Sequence, residues 1–322
     1  MAVYTDVSDE ALSAFLADYD IGGLVAFRGI AEGVENSNFS LRTTAGDYIL
    51  TLYEKRVDPL ELPWFLGLMR HVAAAGLSCP LPVAGSDGEP LRELCGRPAA
   101  ITTFLPGVWP RRIKLDHCRP LGAALARLHL AGRTYAPRRA NTLGPASWTR
   151  LLDLSLARPE AVEALSPGLG GTLRAALDAI VPAWPRDLPT GHIHADLFPD
   201  NVFFLGAHLS GLIDFYFACT DILAYDIAIC LNAWCFEPDL SFNISRARAL
   251  LAGYESLRPL SAAERSALPV LGQGAAMRFT LTRLYDWINT PSGAMVTRKD
   301  PRDYLRRLRF HLAAGDERAY GL

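Results

Sequence analysis

The sequence predicts an α+β fold in two lobes: a small antiparallel β-sheet lobe over residues 1–105 and a larger, mainly helical lobe over 106–322. Three observations carry this. Strand-length apolar segments separated by Gly-containing turns fill residues 27–53 and return at 99–105. Apolar residues at three- and four-residue spacing dominate after Asp116. Two short apolar segments, 202–205 and 209–213, flank a turn at Gly206 and read as a hairpin set among those helices.

The elements follow in order. Ser8 before Asp9 and Glu10 reads as a helix start, with Leu12, Phe15 and Leu16 as its apolar stripe and Gly22-Gly23 beyond its end. Strand, loop, strand, a turn at Ala45-Gly46-Asp47 and a strand over 48–53 come next. Asp58-Pro59 and Pro63 are alternative starts for a helix carrying Trp64, Leu68 and Val72 as far as Gly76. After a turn at Ser86-Asp87-Gly88, the strand over 99–105 stops at Pro106-Gly107, which sets the lobe boundary. Leu121, Leu125 and Leu128 mark one amphipathic helix, and Leu173, Leu177 and Ile180 another. Helices resume from Asp226 and over 273–288, ahead of an Arg-rich segment at 304–311.

Composition narrows the function. At 322 residues, 50% hydrophobic and 20% charged, the chain is long enough for two lobes or one large domain and can bury a full core. A net charge of −2 leaves no basic surplus for a nucleic-acid backbone, so an anionic ligand must be held locally. Six cysteines without a C-x-x-C pair read as reduced thiols. The first residues lack a basic region followed by an apolar run, so no secretion signal is expected and a cytoplasmic location is. The most apolar stretch, 211–236, contains Asp214, Asp221 and Asp226 and reads as buried core rather than a membrane span.

The strongest motif is His194-Ala195-Asp196-Leu197-Phe198-Pro199-Asp200-Asn201, followed by Asp214-Phe215. Phosphoryl transfer needs an Asp to orient the acceptor hydroxyl, and an Asn and a second Asp to hold the magnesium that bridges the nucleotide phosphates. Protein kinases place these groups as H-x-D-x-x-x-x-N with a later metal-binding D-F-G, and here the register is the same. Turn-forming habits explain single Asp and Asn residues, but not four positions in register. Asp196 is thus the expected catalytic carboxylate, His194 a brace for its loop, and Asn201 and Asp214 the Mg2+ ligands, with ATP as phosphoryl donor.

Residues 29–38, 49–54 and 194–217 closely resemble the bacterial homoserine kinases, a branch of the aminoglycoside phosphotransferase and choline kinase group with a bilobal, protein-kinase-like fold. The similarity runs to about His311. It implies phosphorylation of the side-chain hydroxyl of L-homoserine on the route to threonine; the runner-up is a kinase for another small hydroxylated amine, such as choline, ethanolamine or an aminoglycoside. It also implies a phosphate loop at Gly33, Asn36 and Ser37, and a hinge at Thr103, Phe104 and Leu105 whose backbone meets the adenine. One departure stands out. The family's third-strand cation falls at Thr51, leaving Lys55 or Arg56 as substitutes, and Glu61 is the sole acid between Pro59 and Ala75 that could pair with one.

Homoserine's carboxylate calls for a bidentate Arg. Arg283, Asp286 and Trp287 fall at helical spacing on one face, and Tyr216 follows the metal Asp, so these four are the expected substrate residues. An Arg–Asp surface pair over a packed Trp explains the same spacing. A zinc hydrolase built on His192-x-His194-x-Asp196, a phosphate-cradling loop at 167–172 and a non-catalytic nucleotide binder are the rival readings. Partners are the small substrate and ATP, with no nucleic acid or membrane; a homodimer is compatible with the sequence but unargued by it.

Overall fold

Alternating burial along the strand Ser37–Thr43 marks the sheet of the first of two compact units, which comprises 1–108, 203–205 and 210–216; the second comprises 109–202, 206–209 and 217–322. The computed structural model describes residues 4–30, 36–54, 58–290 and 298–322.

The first unit opens with α1 (Asp9–Leu16), capped by the Ser8 hydroxyl, which accepts from the Ala11 N–H. Strands β1 (Leu24–Gly29), β2 (Ser37–Thr43) and β3 (Gly46–Leu52) form a meander, followed by α2 (Leu62–Ala74), β4 (Leu91–Leu94) and β5 (Arg97–Thr103). The five strands pair antiparallel in the order β1-β2-β3-β5-β4. Leu50 and Leu52 of β3 and Ala99 and Ile101 of β5 share one core with Leu12, Phe15 and Leu16 of α1. Burying each large side chain there contributes about 2 kcal/mol. Tyr53 and Ala100 face the other way, onto Leu62, Phe65 and Leu66 of α2. Both proposed helix starts are used: Asp58 caps a 3-10 turn at Pro59–Glu61, and α2 begins one residue later.

The second unit contains α3 (Leu115–Gly132), α4 (Pro145–Leu156), α5 (Pro159–Leu165), α6 (Leu169–Ala183), β6 (Thr190–Ile193), β7 (Val202–Leu205), β8 (His208–Leu212), β9 (Cys219–Ile222), α7 (Leu223–Trp234), α8 (Ile244–Glu255), α9 (Ala262–Asn289) and α10 (Pro301–Ala313), the β7–β8 ribbon being shared with the first unit. β6 pairs antiparallel with β9, and β7 with β8. All of α7 is buried, which is why its sequence is apolar on every face. α3 and α8 touch backbone to backbone: a Cβ at Gly122 would lie 2.0 Å from the Leu250 carbonyl, and one at Gly253 2.1 Å from that of Arg119. α9 is longer than the expected 273–288 because a Ser261–Glu264 capping box starts it eleven residues earlier. Among the described residues, no helix is long and apolar enough to cross a membrane.

The boundary falls at 108/109 rather than 105/106, and part of the hairpin expected in the helical lobe belongs to the first unit. Backbone hydrogen bonds are the reason. Val108 and Phe204 exchange N–H and C=O at 3.0 and 2.9 Å, and the Leu212 N–H donates to the Ser78 carbonyl at 3.0 Å.

Candidate active site

β6 delivers the chain into the loop that carries Asp196, and a buried carboxylate holds that loop. The N–H groups of His194 and Ala195 donate to the two oxygens of Asp226 at 2.7 and 2.9 Å. Asp226, inside α7, also meets Nε2 of His129 on α3 at 3.1 Å. His129 reaches the Tyr254 hydroxyl at 2.7 Å, which accepts from Arg258, itself paired with Glu264 at 2.7 Å. Burial alone would push the Asp226 carboxyl up; hydrogen bonds and charge from His129 and His194 outweigh it and hold it below the usual carboxylate value. The loop is therefore anchored, through two backbone N–H groups, on a buried carboxylate.

Ala195 sits at φ 62°, a left-handed backbone that costs a non-Gly residue about 1–2 kcal/mol. It is held from both sides. Its N–H bonds Asp226, and its carbonyl accepts from the buried guanidinium of Arg278 on α9. The next residue, Asp196, is half-buried. Nδ2 of Asn201 donates to the Asp196 carbonyl at 2.8 Å and to its carboxylate at 3.3 Å. That commits the amide nitrogen and leaves the amide oxygen of Asn201 as the donor atom a hard cation requires.

Asp214 lies in the first unit, just past β8, at φ 64° and half-buried. Tyr216, two residues on, shares a 2.9 Å hydrogen bond with the Tyr53 hydroxyl and packs edge-on to it at 5.3 Å between ring centroids. Burial, with the Asp214 charge adding to it, pushes both phenols up, so both stay neutral. Thr51, at the place of the expected cation, donates its hydroxyl to Asn38 at 2.8 Å.

Arg283 on α9 is mostly buried, its guanidinium 4.4 Å from the Tyr304 ring centroid. Burial lowers its pKa, the Arg307 charge adds to that, and the charges of Asp303 and Asp196 act the other way.

Several expectations require correction. Ser37 is fully buried, accepting from the Tyr4 N–H at 2.8 Å and donating to Glu54 at 2.7 Å, while Asn36 is buried and accepts from the Glu54 N–H at 3.3 Å. Their side chains are spent on tying the start of β2 to Tyr4, Thr5 and Glu54. Thr103 spends both its N–H and its hydroxyl on Leu81, and Phe104, just past the end of β5, donates its N–H to the Asp47 carbonyl at 3.3 Å; Leu105 follows it. The Arg283–Asp286–Trp287 face divides. Asp286 is exposed with its carbonyl taken by Thr290, and Trp287 lies under Arg298, whereas Arg283 points to Tyr304. Tyr216 is engaged with Tyr53 rather than standing alone as a lining residue. Gly33 and Lys55 lie outside the described residues. Nor is there zinc geometry: His192 is bonded to the Tyr135 carbonyl, and no three His, Cys, Asp or Glu side chains among the described residues group as metal ligands.

Residues 26–260 match the model of a phosphotransferase enzyme family. The chain belongs to that family. Within it, a homoserine kinase of Acidiphilium cryptum is 69% identical and one of Granulibacter bethesdensis 68% identical, each over the whole of both chains. That of Rhodospirillum rubrum is 62% identical over all of this chain and 99% of its own. Among solved structures, an amicoumacin kinase in complex with AMP-PNP, Ca2+ and Ami superposes with a TM-score of 0.71 at 16% identity, covering 96% of this chain and 95% of that one. A microcompartment-associated aminopropanol kinase gives 0.66 at 19% identity, covering 95% and 97%. At such identities these share the fold: α+β, with the five-stranded antiparallel sheet and the helices described above.

Sequence reasoning missed the supports of the phosphotransferase's catalytic loop: Asp226, His129 and Arg278. A signal existed for two of them. Asp226 and Arg278 are charged residues inside otherwise apolar helical stretches, where an unpaired charge would be prohibitive. Nothing in the spacing of His129, which is distant in sequence from both, connects it to them.

Proposed function

We infer that the chain transfers the γ-phosphoryl group of ATP to the side-chain hydroxyl of L-homoserine, giving O-phospho-L-homoserine on the route to threonine. The observation that carries the chemistry is Asp196, gripped by the Asn201 amide in a loop anchored on Asp226. Full-length identity of 58–69% to homoserine kinases supports the acceptor. Asp196 orients the hydroxyl and takes up its proton as the oxygen attacks phosphorus; positioning supplies most of the barrier reduction in such transfers. His194, buried and fixed through its backbone, braces the loop. Asn201 and Asp214 are the oxygen donors we assign to Mg2+, which when bound neutralises charge on the nucleotide phosphates. Leu105 lies just past the end of β5 and is the residue we assign to the adenine. The reading places the enzyme in the cytoplasm, where ATP is supplied and six thiols stay unpaired.

An ATP-consumption assay with magnesium tests it against homoserine, choline, ethanolamine, hydroxylysine and an aminoglycoside. Homoserine should be strongly preferred, and Asp196→Asn should lower kcat by about 10³-fold or more. Equal turnover of an amine without a carboxylate, or an active Asp196 variant, would overturn the assignment.

A further inference from the structure

Beside the catalytic loop of the second unit, two arginines converge on one aromatic ring. Phe198, two residues after Asp196, places its ring 6.2 Å from that of Tyr304. The guanidinium of Arg283 lies 4.4 Å from the Tyr304 centroid and that of Arg307, one turn along α10, lies 4.3 Å from it. Like charges this close repel, and the charge of Arg307 acts on Arg283 in that sense. The acid within ion-pair distance of Arg283 is Asp303, at 4.0 Å and half exposed, which offsets little of it.

The donors here are largely unspent. Arg283 gives one long 3.4 Å hydrogen bond to the Asp300 carbonyl. Among the described residues, Nε of Arg307 and the hydroxyl of Tyr304 are buried without a hydrogen-bond partner, and Tyr304 is completely enclosed. Burial of unmade donors carries a cost that a fold tolerates where a ligand supplies the acceptor. Two guanidinium forks and a phenol form a donor set for a small planar anion. Asp196 exerts its charge on both Arg283 and Tyr304, so the set lies within reach of the carboxylate that receives the acceptor hydroxyl.

We propose that Arg307 and Tyr304, together with Arg283, form the binding site for the α-carboxylate of the amino-acid substrate, and that this site makes the kinase select an amino acid over a simple amino alcohol. The inference rests on the homoserine reading and goes beyond it in adding Arg307 and Tyr304 to the Arg283 expected from the sequence, and in making this set the source of selectivity. Arg307 thus determines specificity, and it is separate from the machinery that holds the phosphates.

The test is steady-state kinetics of the full chain with homoserine and with 3-aminopropan-1-ol, which is homoserine without its carboxylate. In Arg307→Met, which keeps the aliphatic packing, KM for homoserine should rise about 10- to 100-fold while kcat, the KM for ATP and turnover of 3-aminopropan-1-ol change little. Arg307→Lys should restore part of the loss, and Tyr304→Phe should raise the homoserine KM about tenfold. Thermal melting identifies any variant that fails to fold; the decision then passes to Tyr304→Phe, which removes a single oxygen atom. A fall in kcat shared equally by both acceptors would assign the arginines to the transferring phosphoryl group and overturn the proposal, as would unchanged kinetics. A wild-type chain inactive on homoserine would instead defeat the functional reading itself.

Discussion

The two units each carry an aspartate that we assign to the reaction, Asp196 in the second and Asp214 in the first, at or beside left-handed backbone, yet they hold it in place by different means. In the second unit Ala195, at φ 62°, is clamped between a buried anion and a buried cation, Asp226 and Arg278. In the first, Asp214, at φ 64°, follows a strand pinned by a backbone bond to Ser78 and precedes Tyr216, whose tie is a neutral hydroxyl pair with Tyr53. Buried ionic hydrogen bonds define a geometry sharply because breaking one exposes an uncompensated charge; neutral ones yield at lower cost. The acceptor hydroxyl must be placed to a fraction of an ångström, whereas a cation tolerates more freedom in its ligands.

If this difference is real, mutations in the two networks should differ in size. Asp226→Asn replaces one acceptor with a donor facing backbone N–H groups. It should destabilise the protein by about 3–5 kcal/mol in chemical denaturation and lower kcat about 100-fold through misplacement of Asp196. A variant with wild-type kcat would break the comparison.

A neutral network elsewhere in the second unit gives an intermediate effect, read through pH. His311 is buried between the Tyr320 hydroxyl at 2.8 Å and the Asn232 amide oxygen at 3.1 Å. Burial, then the charge of Arg307, pushes its pKa down from 6.5 to about 3. The unfolded chain therefore binds a proton below pH 6.5 that the folded protein refuses. Its contribution to stability is complete above that pH and is lost progressively as pH falls toward 3. Melting temperatures recorded from neutral to acidic pH should fall less steeply in His311→Gln than in wild type; parallel curves would exclude His311 as the group responsible.

The smallest effect belongs to the hydroxyl pair. Tyr53→Phe should cost about 1 kcal/mol of stability and leave the KM for ATP within about twofold, as a loss confined to one neutral hydrogen bond would. A collapse of activity on this change would show that the first unit is as tightly specified as the second.

Much of this was legible beforehand. Ser8, Asp58 and the Gly-containing turns marked element ends because capping and turn formation are local, settled within three or four residues. The motif we assign to phosphoryl transfer stood out because its residues sit on one short loop and the hairpin that follows it. The structural use of Asn36 and Ser37 was not legible because a polar residue near a glycine looks the same whether its side chain is free or spent inside the fold, and Ser37 is bonded by Tyr4 and Thr5, over thirty positions away. The 28-residue length of α9 was missed because apolar spacing alone was followed and the capping box at Ser261 was not.

The sequence by itself determined the fold class and many of the elements, and it singled out Asp196, Asn201 and Asp214 as the candidates, since propensity, alternation and short-range spacing are written along the chain. Tertiary structure alone decided what Asp226, His129 and Arg278 do, and that Arg283 and Arg307 meet over Tyr304. Burial turns an ordinary charged residue into an anchor or a ligand site, and burial is a property of which distant helices pack together.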